Sequence, residues 1–270
     1  MRFKFACLAA ALCVAFSITP TAFASCATEY LGGAAPHVVS RAMPVRELCF
    51  DAFAVGHSGA TRTPLWSAEH LTASEVAAAR ALPRRDVFHA ERQLPIMERA
   101  ALSDYAHSGF DRGHVAPSGD MPTPEAQAQS FSLANMTPQT RGLNRGVWEE
   151  IEETTRDLAL EDGDVFVVSG PVFDADVTAN LHGRVRVPSA MFKAIYDPHT
   201  GAAAAYVADN EAHPAYRVVS INALRALIGI DVFPSLPDAV KRRTANLPEP
   251  GRRQVAANSE TQARSASFQR

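Results

Sequence analysis

Across residues 143–160 apolar side chains recur at helical spacing, and much of the chain on either side reads as strand. Leu143, Val147, Ile151 and Leu158 share one broad face while Glu149, Glu150 and Glu153 occupy another, so one side of this helix must be buried. Gly163 ends it. Strands are the candidates to cover that face. Residues 130–137 read as one, stopped by Pro138, and residues 165–169 as a buried one closed by Gly170 and Pro171. Residues 191–196 and 203–208 flank a hairpin loop at 197–201. Upstream, residues 47–55 and 63–70 read as two more strands, with a turn at His57, Ser58 and Gly59. A capping box at Thr72–Glu75 opens a short helix, and Thr123 caps another that starts at Pro124. Residues 219–228 read as a last helix, stopped by Gly229. With no internal repeat and no linker, one α+β domain is the economical reading.

The first 24 residues read as a signal peptide rather than as fold. Arg2 and Lys4 make a basic start, residues 5–18 are almost wholly apolar, and Ala22 and Ala24 stand at the −3 and −1 positions of a cleavage site. That run is too short and wrongly flanked for a membrane span, and no other stretch approaches spanning length. The expectation is export, to the periplasm or outside, with cleavage after Ala24; Phe23 is a poor lipobox residue, which disfavours lipid attachment at Cys26. Of the four cysteines, Cys7 and Cys13 leave with the signal. Cys26 and Cys49 then most simply form a disulfide in an oxidising compartment.

Charge is unevenly placed. Without Arg2 and Lys4 the chain has 24 basic against 29 acidic residues. Residues 241–270 hold seven basic and two acidic ones, and read as a disordered basic tail behind a domain spanning 25–240. The acidic body lacks the basic footprint of a passive nucleic-acid binder. Nucleic acid, if handled here, would be met by a local group of arginines and a cation.

The chemistry concentrates at Asp111, Arg112, Gly113 and His114. His114 is the best candidate base, since an unperturbed imidazole is partly neutral near pH 7 and able to accept a proton. Gly113 suits a place where another group comes close. The other eight histidines show no zinc spacing. Asn144 is either a cap at the start of the long helix or an oxygen ligand for a hard ion such as Mg²⁺, which takes few protein ligands. On a regular helix Glu152 and Arg156 follow about 80° and 120° further round, so all three can face one cleft; otherwise Glu152 and Arg156 are a surface ion pair. A hydrolase built on Ser118 or Ser169 lacks the G-x-S-x-G elbow.

The runs Asp111-Arg112-Gly113-His114, Ala134-Asn135-Met136-Thr137-Pro138-Gln139 and Leu143-Asn144-Arg145-Gly146, with Trp148, resemble the DNA/RNA non-specific endonuclease family, the endonuclease G-like members of the ββα-metal (His-Me finger) nucleases. The similarity runs from Thr61 to Pro234. The resemblance implies a ββα-metal fold with a mainly antiparallel central sheet flanked by helices. It implies Mg²⁺-dependent cutting of DNA and RNA to 5′-phosphate ends, with Mn²⁺ able to substitute. It makes His114 the general base, Asn144 the direct metal ligand and Glu152 an anchor of the metal's waters. Arg112 and Arg156 would stabilise the transition state, and Asn135 would support the site. An upstream arginine, Arg84 or Arg85, would also contribute. Asp111 is read as structural. A lapsed enzyme that only binds is disfavoured by the full set of residues, and oligomeric state stays open.

Overall fold

Alternating side chains dictate a sheet that is apolar on both faces. The structure, a computed structural model, describes residues 26–39, 44–174 and 179–251; the signal and most of the expected tail lie outside them. In chain order the main elements are β1 (Arg46–Cys49), β2 (Ala54–Ser58), β3 (Thr63–Thr72), α1 (Ala73–Arg80), β4 (Asp111–His114), α2 (Pro124–Ser130), β5 (Met136–Gln139), α3 (Arg141–Asn144) and α4 (Val147–Asp162). Then follow β6 (Asp164–Val172), β7 (Ala190–Asp197), β8 (Ala202–Asp209), β9 (Tyr216–Val219), α5 (Ile221–Ile228) and α6 (Asp238–Arg242). Seven strands make one sheet in the order β9-β8-β7-β6-β3-β2-β1, every neighbouring pair antiparallel. This is the α+β architecture with an antiparallel centre that the sequence resemblance implied.

Each face has its own core. Trp66, Ala68, Val168, Phe192 and Ala194 point to one side, where Ile221 and Leu224 of α5 cover them together with Tyr30, Phe233 and Leu236. Leu71, Val165, Val167, Met191 and Ile195 point to the other, under Trp148, Ile151 and Ala159 of α4. Trp148 and Ile151 are almost fully buried, each worth roughly 2 kcal/mol on transfer from water. Two charged residues break the apolar phase of this second face. Glu69 on β3 and Lys193 on β7 are fully buried, and Lys193 donates to Ser169 Oγ at 2.8 Å beneath the Trp148 ring.

Local signals held where a side chain fixes a backbone end. Thr72 and Glu75 form the capping box, Thr123 caps α2 with Pro124 in its first turn, and Gly229 closes α5 at φ 69°. Other readings are corrected. Residues 47–55 are two strands of a hairpin rather than one, and His57 and Ser58 belong to β2 rather than to a turn. Residues 130–137 are the end of α2, a short 3-10 turn and the start of β5. Pro138 sits inside β5, tolerated because that strand pairs only with β4. Gly170 and Pro171 likewise continue β6, beyond the last residue that pairs with β3. The long helix is broken: α3 ends at Asn144, and Gly146 is non-helical at φ −125°, ψ −119° before α4 begins.

The ends of the described chain are sewn together. Cys26 and Cys49 are disulfide-bonded, and His37 and Val38 pair with Asp231 and Ile230. Part of the expected tail is packed: Lys241 is 3 % exposed and donates to both carboxylate oxygens of Asp231, while Tyr206 Oη donates to Pro248 O at 2.5 Å. A buried ion pair and an aromatic hydroxyl hold what composition alone made look unstructured. Residues 252–270 lie outside the described ones.

Candidate active site

β4 and β5 form a two-stranded ribbon set against the sheet's α4 side, with His114 opposite Met136 and Gly113 opposite Thr137. Gly113 is required there: a Cβ would stand 2.1 Å from the Gln139 side chain, whose Nε2 donates to His114 O at 3.4 Å. Behind the ribbon, the Asn135 amide is fully engaged. Its Oδ1 accepts from Ser67 Oγ and Ala116 N, both at 2.9 Å, and its Nδ2 donates to Ala116 O and Ser130 O. Asn135 therefore clamps the segment after His114 to β3, and it does not line the cleft.

A cleft of about 520 Å³ opens where ribbon, α3 and α4 meet. His114, Arg112, Asn144, Glu152 and Arg156 all line it. Arg84 lines it too, whereas Arg85 faces a separate groove. Of the two arginines that spacing alone left open, Arg84 is thus the one that lines the cleft. Arg84 also donates to Ser118 Oγ at 2.9 Å, while Ser169 is taken by Lys193; neither serine bonds a histidine.

His114 is 8 % exposed, and its buried Nε2 has no partner among the described residues. The Phe131 ring meets it edge-on at 4.8 Å. Burial, reinforced by the Arg84 charge, pushes the imidazole down to about 3, so it is neutral through the whole physiological range. The sequence alone implied a group titrating near 6.5; the apolar wall explains the difference.

Asn144 is the last residue of α3, and its Nδ2 donates to Asp111 Oδ2 at 3.2 Å. The same carboxylate takes two bonds from Arg145. Burial works against the charge on Asp111, but Arg145 and Asn144 outweigh it and hold the carboxyl below its ordinary range. With Nδ2 committed, the Asn144 carbonyl oxygen takes no bond from a described residue. Beside it in the cleft, burial pushes the Glu152 carboxyl up to about 7, with Lys193 and Arg156 pulling the other way. An amide oxygen and a carboxylate suit a hard, oxygen-preferring cation. Among the described residues only Cys26, Glu47 and Cys49 cluster like soft-metal ligands, and those cysteines are joined to each other.

Among the described residues no hydrogen bond or ion pair joins Glu152 to Arg156, so the alternative of a surface pair does not hold. Arg156 instead bonds Asp120 through Nη1 at 2.7 Å and Glu153 through Nε at 2.9 Å, because the segment after β4 brings Asp120 up to α4. Phe131, Glu69 and Lys193 are the site's neighbours that motif reading missed. Glu69 and Lys193 left a signal, a charged residue in the inward phase of an apolar strand; Phe131 left none.

Comparison with known proteins supplies the family. The sequence model of the DNA/RNA non-specific endonuclease family matches residues 38–239. Nuclease C1 of Cunninghamella echinulata var. echinulata is 36 % identical over 160 residues, 55 % of this chain and 64 % of that protein. The mitochondrial nuclease EXOG of Xenopus laevis is 34 % identical over 205 residues, 68 % of this chain and 57 % of that one. The chain thus spans less than two thirds of the length of either relative. Among solved structures, EndoG in its complex with EndoGI superposes with a TM-score of 0.63 at 26 % identity, over 70 % of this chain and 85 % of that one. By the extent of the match, this chain belongs to the DNA/RNA non-specific endonuclease family, and its fold is the ββα-metal fold of that structural neighbour.

Proposed function

We propose that the protein is an exported, Mg²⁺-dependent endonuclease that hydrolyses phosphodiester bonds in DNA and RNA to 5′-phosphate and 3′-hydroxyl ends. One observation carries this: a neutral imidazole, an amide oxygen, a carboxyl group and several guanidinium groups line the same cleft in an otherwise acidic body. Asn144 would hold the ion directly and Glu152 its waters, with Mn²⁺ able to replace Mg²⁺. When bound, the ion supplies Lewis acidity and offsets charge on the departing 3′ oxygen.

The remaining work falls to the chain's own residues. His114 accepts a proton from a water aimed at the scissile phosphorus. Arg112 and Arg84 offer N–H groups to the phosphate oxygens, and Arg156, braced by Asp120 and Glu153, fixes a positive charge on the wall. Asn135 holds the His114 segment in register from behind. Phosphate contacts carry no base information, so weak sequence discrimination and tolerance of both sugars are expected.

Export belongs to the same reading. The signal pattern of residues 1–24 supports it, as does the Cys26–Cys49 disulfide. No helix among the described residues is long and apolar enough to cross a membrane.

The test is incubation of the chain from Ser25 onward with plasmid and with RNA, with and without EDTA, beside His114→Ala. Both substrates should be cut only with the metal, and the variant should lose at least ~10²-fold in rate. Cutting in EDTA, or an undiminished variant, would falsify the mechanism.

A further inference from the structure

Arg112 is held in the cleft without a counter-charge. Among the described residues no hydrogen bond or ion pair reaches its side chain, and its buried Nε has no acceptor. Arg84, by contrast, is bonded to Asp86 and Ser118, and Arg145 to Asp111. What meets Arg112 is the ring of Phe88, whose centroid lies 4.3 Å from the guanidinium carbon.

Phe88 is itself fixed. Its ring stands edge-on to that of Phe131 at 4.9 Å, the fully buried ring that also meets His114. The base and the unpaired arginine therefore rest on one aromatic wall. The chemistry of that support matters. A carboxylate partner would hold the guanidinium but would occupy its N–H groups and cancel its charge. A ring face attracts the cation through its quadrupole and consumes no donor, so the planar fork stays available to a phosphate.

We infer that Phe88 is a positioning residue, whose ring holds the Arg112 guanidinium in the cleft with its N–H groups free for the scissile phosphate. This rests on the reading of Arg112 given above.

The test uses the exported chain with Mg²⁺ and a plasmid substrate, comparing Phe88→Leu, Phe88→Met and Phe88→Trp, each also combined with Arg112→Gln. Loss of the ring in the Leu and Met variants should lower kcat by about tenfold with KM within about twofold, and Trp, the better ring face, should restore it. With Arg112→Gln already present, Phe88→Leu should cost less than about twofold, since no cation is left to position. Thermal melting of each variant separates this from a loss of folded protein, and Met serves if Leu fails to fold. Equal losses in Leu and Trp, or an undiminished Leu effect beside Arg112→Gln, overturn the inference while leaving the nuclease reading intact. A wild-type chain that cuts neither DNA nor RNA overturns both.

Discussion

The amide Nδ2 of Asn144 donates to Asp111 Oδ2 at 3.2 Å, fastening the last residue of α3 to the first residue of the β4–β5 ribbon. Asp111 thus bonds the residue proposed to hold the metal ion. It selects which end of the Asn144 amide is turned toward the cleft, and Arg145 keeps it ionised while it does so.

Removing that carboxylate should therefore weaken the metal site rather than the base. For Asp111→Ala we expect a 10- to 100-fold rise in the Mg²⁺ concentration for half-maximal cutting, the usual cost of losing a group that orients a ligand. Activity measured across a metal titration checks this; an unchanged midpoint would show that Asn144 orients itself.

The pH behaviour of the base follows from its burial. Protonated imidazole cannot accept a proton, and the apolar wall with Arg84 sets that event near pH 3. Activity per free enzyme should then show no His114 limb between pH 5 and 8. NMR of the metal-free protein should find the His114 ring still neutral at pH 5. A ring titrating near 6.5 would contradict the assignment.

Glu69 makes a stability prediction. Burial first, and Asp120 second, raise its carboxyl well above the ordinary range, with Lys193 opposing; neither oxygen has a partner. The folded state then keeps a proton that the unfolded chain gives up above about pH 4.5, so stability falls as pH rises through that region. Glu152 adds the same sign up to about pH 7. Buried neutral His114 contributes the opposite sign below about pH 6.5, so the readout is the difference between two proteins: in urea unfolding from pH 4.5 to 8, Glu69→Gln should gain on the wild type as pH rises and be the more stable of the two at pH 8. Parallel slopes would mean that Lys193 neutralises Glu69 fully.

Arg84 and Arg85 are neighbours in sequence that point into different depressions. Arg84→Ala should cost about 10²-fold in kcat/KM, the scale of a lost transition-state donor. Arg85→Ala, beside a groove with no catalytic group, should stay within about twofold of wild type, on the ordinary scale of surface changes. Comparable losses would place substrate in both depressions.

The disulfide lies away from the cleft, in the core beside Tyr30 and Trp66. Replacing Cys26 and Cys49 by Ala should cost ~3 kcal/mol in unfolding free energy by the loop-entropy estimate, with kcat unchanged at a temperature where the variant stays folded. Denaturant midpoints and a cleavage assay on the same sample decide it.

What sequence made legible was whatever a short window determines. The Thr72 box, the Thr123 cap, the Gly229 stop and the 190–209 hairpin all depend on residues within a turn of one another. The motif residues from His114 to Arg156 were legible because their order along the chain survives folding. Longer relations were not. The break at Gly146 invalidated wheel arithmetic from Asn144 to Glu152, yet both reach the cleft because α3 docks separately; a Cβ on Gly142 would stand 1.9 Å from Ala212 O. Asn135 turned out to be a clamp because its four side-chain bonds reach Ser67, Ala116 and Ser130, two of them far away in sequence. Lys241, read as part of a solvated tail, found Asp231 ten residues back.

The antiparallel pairing of His37 and Val38 with Asp231 and Ile230 also fixes when the molecule can be finished. It joins positions roughly two hundred residues apart, and such distant contacts make folding slow because the loop must close before they contribute. Until Phe233 and Leu236 arrive, the sheet face carrying Trp66 and Phe192 lacks part of its cover. A chain cut short before Phe233 therefore leaves part of that apolar face uncovered, and its hazard is aggregation.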